Sequence, residues 1–551
     1  MSSAAPVHAR APFLTTADLE VDHDPARHLA RDLLRPEAYP APGPLQVELR
    51  ETHVSRVFLT EAEVFKVKKA VKLPFLDFST LDARRHACEA ELLLNTRLAA
   101  GAYLGLVPVR RDAEGRHHFG PQGEVVDWAV HMMRLPDELR ADQRLLAGTL
   151  APAHIDAIAS MLADFHARAG DGAASGWGSV EAITRNVQEN FAAADASAEG
   201  LLTAAQAREV EHKQLGFLRD RVRTFERRIA DGRIRDGHGD LRLEHVYLGN
   251  EGELTILDCI EFNDRFRFAD VCADVAFLSM DLASQGHVEL AERFLARYAR
   301  AADDYDLYSV VDFYESYRAH VRAKVSLITS RQAEGAMRDR ALADARRHFA
   351  LAFSAGRRSL LDPVVVAVGG VIASGKSTVA DALGDRLSAP VIDADRTRKH
   401  LLGLAPTVHD TSAPFEGPYA QSMTDRVYAE LMLRASAVLE SGRPVVLDAS
   451  FRSEEMRRAA RDLAAEHGVP FLMVECQARP AVCRERLVSR ERESHVSDGR
   501  LAIFEAFAAR VKPMTELDRS ERLVVDTERP LEATLADLAE HLRTWPAGLT
   551  R

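Results

Sequence analysis

Short apolar runs alternate with amphipathic stretches through the last third of the chain. Val364–Val368, Pro390–Asp393, Val445–Asp448, Phe471–Glu475 and Leu523–Asp526 are the apolar runs, and Lys376–Leu387 repeats its apolar positions at helical spacing. Runs without polar alternation read as strands buried on both faces, and the stretches between them as covering helices. The pattern predicts an α/β domain on a parallel five-stranded sheet, with ligands gathered at the C-terminal strand ends. Earlier in the chain the rhythm differs. Val64–Lys69 alternates like a half-buried strand with Lys66 and Lys68 on one face, and residues 52–65 read as a hairpin leading into it. Ala83–Ala99 has the period of a helix and carries Glu89 and Glu91. Two β runs, Val246–Leu248 and Leu254–Asp258, flank the turn Gly249-Asn250-Glu251-Gly252 as a second hairpin. Residues 169–179 are Gly/Ser-rich and read as a loop.

The 551 residues exceed what one core holds. A boundary is expected across 357–363, where a long helical region gives way to Asp362-Pro363 and the first apolar run. The expected division is a helical extension over 1–45, a first domain over 46–357 and a second over 363–551. Hydrophobic content of 46% and charged content of 28% suit a folded soluble protein. A net charge of −12 argues against general affinity for nucleic-acid backbone or anionic membrane. The five cysteines show neither C-x-x-C pairs nor metal-ligand spacing, which suits a reducing compartment. The N-terminal residues lack an apolar leader core, and no run of apolar residues is long enough to span a bilayer. The expectation is cytoplasmic, with no membrane partner.

Residues 370–377 read Gly-Val-Ile-Ala-Ser-Gly-Lys-Ser, the phosphate-cradling G-x-x-x-x-G-K-S loop, set between a predicted strand and a predicted helix as that motif requires. Backbone N–H groups of Gly370, Ser374, Gly375 and the helix start at Ser377 and Thr378 face the phosphates of a nucleoside triphosphate. Lys376 neutralises the outer phosphates and the Ser377 hydroxyl ligates Mg²⁺. Asp448 closes its strand in the position of an acid that holds or orients the same metal. Asp393 and Asp395 close the second run, where a carboxylate can accept the proton of an attacking hydroxyl, and Arg398 with Lys399 could hold an anionic substrate. An alternative role for Asp395 is a helix N-cap. Arg484, Arg486, Arg490 and Arg492 crowd one segment. Arg486 and Arg490 suit a lid closing on the transferred phosphoryl group, and the interleaved glutamates equally suit a self-paired helix face. On GGVIASGKST, DADRTRKHLLG, VVLDASF and RERLVSR, residues 363–551 resemble the small-molecule and nucleotide-type P-loop kinases, among them gluconate kinase, polynucleotide kinase and zeta-toxin-like enzymes. That resemblance implies ATP-dependent phosphorylation of a hydroxyl. The segment 403–425 leaves the acceptor open.

A second constellation precedes it. His238-Gly239-Asp240 is followed by His245 and the hairpin, which folds Asp258 back towards Asp240. Two carboxylates so placed divide two tasks, proton acceptance from a substrate hydroxyl and Mg²⁺ binding on nucleotide phosphates. Together with FKVKK, EAELLLN, DWAVHMMRLP, IDAIASMLADFH and ILD, the order of pieces over residues 50–330 resembles the aminoglycoside/choline phosphotransferase family, a branch of the two-lobed protein-kinase-like fold. The resemblance implies Asp240 as base, Asp258 as metal ligand, Lys66 as phosphate lysine and Glu91 as its partner. Two departures stand out. His245 occupies the place where that family has Asn, so a metal there has an imidazole ligand and Mn²⁺ becomes a candidate beside Mg²⁺. No Gly-rich loop precedes Lys66. For the acceptor, residues 303–306 (DDYD) suit either a polycation or a solvated loop. Arg318, Arg322 and Lys324 suit either an anionic acceptor or internal ion pairs.

Three readings follow. The favoured one is a bifunctional kinase, each half phosphorylating a small-molecule hydroxyl with ATP and Mg²⁺. The others are a P-loop kinase governed by a nucleotide-binding pseudokinase, and a polynucleotide 5′-hydroxyl kinase. The acidic balance and the lack of aromatic-basic tracts count against nucleic acid. The oligomeric state is left open by the sequence.

Overall fold

The computed structural model describes residues 25–544, apart from residue 53, segments 74–75, 173–175 and 194–199, residue 251, and segments 355–361, 409–414 and 491–495. The expected boundary at 357–363 therefore falls largely outside the described residues, as does most of the 1–45 extension. The helix Pro25–Leu33 is present, and Leu33, Leu34 and Tyr39 pack under the first sheet with Phe58, Phe65 and Phe119.

That sheet is antiparallel and six-stranded, in the order Glu48–Glu51, Ser55–Leu59, Glu63–Lys68, Glu124–Met133, Tyr103–Arg111 and His117–His118. The expected lysine strand is real, paired to Ser55–Leu59 through the expected hairpin, with Val57 opposite Lys66. The helix Leu81–Ala99 packs on the sheet, starting where the Thr80 hydroxyl accepts from the Ala83 N–H at 3.1 Å. Its buried positions include Ala87, Cys88, Glu91, Asn95 and Leu98. Three- and four-residue steps place Glu91 on the inward face. The second hairpin pairs Val246 with Ile256 and Leu248 with Leu254, as its turn residues predict. Helices Pro152–Arg168, Val180–Ala193, Ala204–Asp220, Val271–Ser284, Val288–Ala301, Val311–Gln332 and Gly335–Ser354 build most of the remainder of this half.

The C-terminal half holds a wholly parallel five-stranded sheet in the order Val391–Asp393, Val445–Asp448, Val365–Gly369, Phe471–Gln477, Arg522–Asp526. The predicted strands are all present, Val445–Asp448 with its predicted bounds and the others within two residues of theirs, and the helix Lys376–Leu387 has the predicted bounds. Alternate strand residues face opposite ways. Val366 and Val368 pack with Val379, Ala380 and Leu383 on one side. Val365, Ala367 and Leu447 join the other side to a cluster that continues through Val427 and Leu431 to Tyr305, Tyr308 and the helices of the N-terminal half. One apolar core thus crosses from one half into the other. The parallel register sets Asp393 beside Asp448 at the C-terminal edge of the sheet, next to the loop that follows Gly369. No described helix is long and apolar enough to cross a membrane.

Candidate functional sites

The loop 370–375 turns through positive-φ backbone at three positions, two of them glycine. Gly370 has φ 145° and Gly375 φ 87°, and Ala373 adopts φ 60°. A Cβ on Gly370 would lie 2.4 Å from the Cys476 carbonyl oxygen, so only glycine lets the loop pass that strand. Thr527, just beyond the last strand, donates to the Ser374 carbonyl at 2.7 Å and braces the loop from below. The buried Ser374 hydroxyl has no hydrogen-bond partner. Lys376 folds back so that Nζ donates to the Val371 carbonyl at 2.8 Å. Its ammonium thus meets the loop backbone rather than a carboxylate.

Ser377 hydrogen-bonds Asp448, whose pKa is pushed up to about 7, first by burial and further by Asp393 and Asp395, with Lys376 opposing. Asp393 and Asp395 are near enough to act on Asp448, so a cation at Ser377 and Asp448 would relieve the local negative charge. With the tight loop and the orphaned Ser374 hydroxyl, these residues fit a nucleoside triphosphate carrying Mg²⁺. Asp393 Oδ1 accepts from the Arg396 N–H at 2.6 Å and caps the helix Ala394–Leu401. The alternative of Asp395 as N-cap is therefore corrected: its neighbour Asp393 ends the strand and takes the cap. Asp395 Oδ1 lies 3.5 Å from the Tyr419 hydroxyl.

Arg398 is buried, donates to the Pro418 carbonyl at 2.7 Å, and sits 4.4 Å from the Tyr419 ring centroid, leaving its Nε without a partner. Lys399 is buried too, its ammonium held by the carbonyls of Pro406 and Val496 and 3.4 Å from Asp498. A substrate-holding role for Lys399 has no free donor behind it. Arg486 reaches the phosphate loop itself, with Nη1 3.3 Å from the Ala373 carbonyl and Nη2 2.5 Å from the Thr527 carbonyl. The side chain of Arg490 and all of Arg492 lie outside the described residues. Arg484 binds Glu505 on another helix, Phe504–Ala508, at 2.5 Å, rather than one of the interleaved glutamates.

In the N-terminal half the structure brings Lys66, Glu91, Asp240, His245 and Asp258 together. Lys66 Nζ lies 2.9 Å from Glu91 and 2.6 Å from Asp258. Lys68 joins the same glutamate at 2.5 Å and also contacts Glu261. The result is a chain of alternating charge: Asp258, Lys66, Glu91, Lys68, Glu261. Lys66 and His245 hold the exposed Asp258 carboxyl well below the usual range despite partial desolvation. Asn95, one turn beyond Glu91, accepts from the Cys259 N–H at 2.8 Å and ties the helix to the Asp258 segment.

Asp240 stands on a clamped turn. The N–H groups of His238 and Gly239 donate to Asp274 at 2.6 and 2.8 Å, and Gly239 adopts φ 86°. Burial works to raise the Asp240 pKa, but Arg242, His245 and Arg322 outweigh it and keep the carboxylate ionised. Arg242 donates to both its oxygens, at 3.2 and 3.0 Å. His245 Nδ1 lies 2.8 Å from the Asp240 carbonyl oxygen. A carbonyl can only accept, so Nδ1 carries the proton and Nε2, 3.7 Å from Asp258, carries the lone pair, to which Arg242 Nη2 donates at 3.2 Å. Burial and Arg242 push its pKa down to about 4, which keeps the ring neutral. Among the described residues no three His, Cys, Asp or Glu side chains converge as a ready metal cage. A divalent ion at either site would complete its shell with phosphate oxygens.

Sequence reasoning missed Asp274, Arg242 and Glu261 here, and placed Lys68 beside Lys66 without its partners. Asp274 did leave a trace, as one of two carboxylates in the largely apolar helix Val271–Ser284. Residues 303–306 are not a solvated loop: Asp304 binds the buried Arg228 at 2.9 Å, and Asp303 binds Arg434 at 2.7 Å and His400 at 2.7 Å. Arg318 donates to the Ala273 carbonyl at 3.1 Å. Arg322 faces Asp240 and Arg242, and burial with that like charge pushes its pKa down to about 10.

Residues 365–514 match the family model described as an AAA domain. With the loop, lysine and acids described above, that match makes the C-terminal half a P-loop domain. The structure is similar to a gluconokinase from Sinorhizobium meliloti 1021, at 21% identity and TM-score 0.25, covering 34% of this chain and 95% of that one. It is also similar to an APS kinase of Mycobacterium tuberculosis, at 22% identity and TM-score 0.23, covering 33% of this chain and 98% of that one. Over 500 residues the sequence is 34% identical to the uncharacterized protein Rv2004c of Mycobacterium tuberculosis (strain ATCC 25618 / H37Rv), covering 91% of this chain and 96% of the relative. The uncharacterized protein Mb2027c of Mycobacterium bovis matches at the same 34% and the same coverage. The chain belongs to the family of these mycobacterial proteins.

Proposed function

We propose that the chain is a bifunctional phosphotransferase, each half passing the γ-phosphoryl of ATP to a hydroxyl of a small molecule. In the P-loop half, Gly370–Thr378 bind the triphosphate, Lys376 swings from the Val371 carbonyl onto it, and Asp393 or Asp395 accepts the acceptor's proton. Arg398 and Arg486, the latter already against the loop, neutralise charge on acceptor and nucleotide. Mg²⁺ bound with the nucleotide, held by Ser377 and Asp448, supplies further charge neutralisation. An anionic small molecule suits the buried Arg398, whose Nε has no hydrogen-bond partner.

The N-terminal half is read as a two-lobed kinase-like unit over 46–357 preceded by the extension 1–45, with the P-loop domain over 363–551. One observation carries that reading: Lys66 reaches both Glu91, at 2.9 Å, and Asp258, at 2.6 Å, residues distant in sequence, and His245 lies between Asp258 and the Asp240 turn. Asp240 takes the acceptor proton, Lys66 holds phosphate, and Asp258 with the Nε2 lone pair of His245 receives the metal. Imidazole in that set favours Mn²⁺ more than an oxygen ligand does. Arg242 and Arg322, two like charges by Asp240, suit an anionic acceptor. A second reading, that this half binds nucleotide only to regulate the other, is favoured by the double hydrogen bond of Arg242 on Asp240, which occupies the base. ATP consumption across a metabolite panel, by full-length wild type and by Lys376→Ala, decides between them. Phosphoryl transfer that persists in Lys376→Ala and disappears on adding Asp240→Asn supports two activities. If Lys376→Ala alone abolishes all turnover, the bifunctional reading falls.

A further inference from the structure

The acceptor acids of the P-loop half sit on the most weakly supported part of its sheet. Val391–Asp393 is an edge strand of three residues, paired on one side only, to Val445–Asp448. An uncovered edge leaves backbone groups unpaired and lets a short strand fray. Here the N-terminal half covers it. The buried Tyr305 hydroxyl donates to the Val391 carbonyl at 2.8 Å, two residues before Asp393. Arg300 bridges Asp381 on the P-loop helix, at 2.6 Å, and Asp393 itself, at 3.5 Å.

The helix that follows the strand is braced from the same side. It runs Ala394–Leu401 and carries Asp395 and Arg398. Asp303, in left-handed backbone at φ 47°, binds His400 at its far end and also Arg434, whose Nη1 lies 3.3 Å from Thr397. Arg300 is the last of three arginines on one face of the helix Val288–Ala301. The other two, Arg293 and Arg297, meet Asp385 at 2.7 and 2.6 Å and lean on Asp156 behind them. Those two dock the halves without touching the acid-bearing segment.

We propose that Arg300 and Tyr305 are positioning residues of the P-loop acceptor site, contributed by the N-terminal half, and that this site is complete only with that half docked on it. Asp393 then has its two carboxylate oxygens fixed from different directions, by the Arg396 N–H on one side and by the guanidinium groups of Arg300 and Arg396 on the other. A carboxylate so held keeps its angle to an incoming hydroxyl, which is how positioning lowers a barrier. The inference rests on the reading of the P-loop half as a hydroxyl kinase.

The test uses the full chain and two readouts. The first is amide hydrogen exchange in the wild type, Arg300→Ala, Arg300→Lys, Tyr305→Phe and Arg297→Ala. Residues 392–401 should exchange about ten- to a hundredfold faster in Arg300→Ala, less so in Tyr305→Phe, and near the wild-type rate in Arg300→Lys and Arg297→Ala. The second is steady-state kinetics with the acceptor that supports ATP turnover. Arg300→Ala should lower kcat/KM for the acceptor by about ten- to a hundredfold with the KM for ATP unchanged, and Arg300→Lys should recover part of it. Equal effects of Arg297→Ala and Arg300→Ala would reduce both arginines to docking contacts and overturn the proposal. So would unchanged exchange over 392–401 in Arg300→Ala. Wild type that turns over no hydroxyl acceptor would instead sink the kinase reading, while the exchange data still decide whether Arg300 and Tyr305 hold the strand.

Discussion

At the phosphate loop the backbone does most of the holding, and the lysine waits on a carbonyl; at Lys66 five charged side chains hold one another before any ligand arrives. Lys376 contacts the Val371 carbonyl 2.8 Å away, five residues back. Lys66 contacts carboxylates on a helix and on a segment 192 residues later. The first arrangement is local, so its geometry follows from glycine placement and a helix start. The second is assembled from three separate stretches of chain, and its electrostatics depend on all of them being in place. A local site should tolerate damage elsewhere and fail sharply when its own lysine goes. An assembled site should lose stability along with function.

The largest effect expected from this contrast is at Lys376. Replacing it with Ala removes the one ammonium of the loop and should cut P-loop turnover by at least about a hundredfold, while the melting temperature stays close to wild type. Turnover is read with the acceptor identified by the panel, and melting by calorimetry. A marked fall in stability would mean that the loop lysine carries more structure than one carbonyl contact suggests.

Asp240→Asn should remove about a hundred- to ten-thousandfold of any transfer that survives in Lys376→Ala, and leave P-loop turnover intact. If instead both activities fall together, the sites are not separable and the contrast between them breaks.

Glu91→Gln tests the assembled side directly. Glu91 is fully buried between Lys66 and Lys68, and the substitution leaves two lysines short of a counter-charge. Breaking one partner out of a buried ion network costs about 3–5 kcal/mol. Chemical denaturation should show a loss of that order, where Lys376→Ala shows little. A loss below about 1 kcal/mol would mean that Asp258 and Glu261 suffice for the two lysines.

The same contrast explains what could be read from the sequence. The phosphate loop, its strand and its helix are contiguous, so residues 370–377 announced fold and chemistry together. Glu91 was found because a helical period puts one of two nearby glutamates inward. Which acid capped the helix after Val391–Asp393 depended on where the strand stopped, a matter of a residue or two that sequence patterns do not resolve. Lys68 was seen to share a face with Lys66, yet its partner Glu261 lies 193 residues away and no periodicity links them. Asp274 serves Asp240 through the N–H groups of His238 and Gly239, a backbone contact that leaves no mark on residue type. Arg300 and Tyr305 were invisible for a related reason: each meets the P-loop half across a seam between two folds, and neither fold predicts the other's edge.

That seam gives the smallest and most specific expectation, and it asks whether the two sites share one folding unit. Arg443 of the P-loop half enters a group of acids on the N-terminal half, 2.7 Å from Glu292 and 3.0 Å from Asp312. Nearby Glu315 accepts from the Ser279 hydroxyl, and its pKa is pushed up to about 8, first by burial, then by Asp312 and Glu292, with Arg443 opposing. A carboxyl that binds its proton more tightly folded than unfolded contributes stability fully below its unfolded pKa, near 4.5. That contribution fades as pH rises through the folded value, about 8. The wild type should therefore lose melting temperature between about pH 5 and 9 relative to Glu315→Gln, which cannot ionise, with the gap widest at the alkaline end. If the seam joins the halves into one cooperative unit, the whole transition shifts as a single peak in calorimetry. If the halves unfold separately, only part of the heat moves, and the local and assembled sites can then be denatured one at a time.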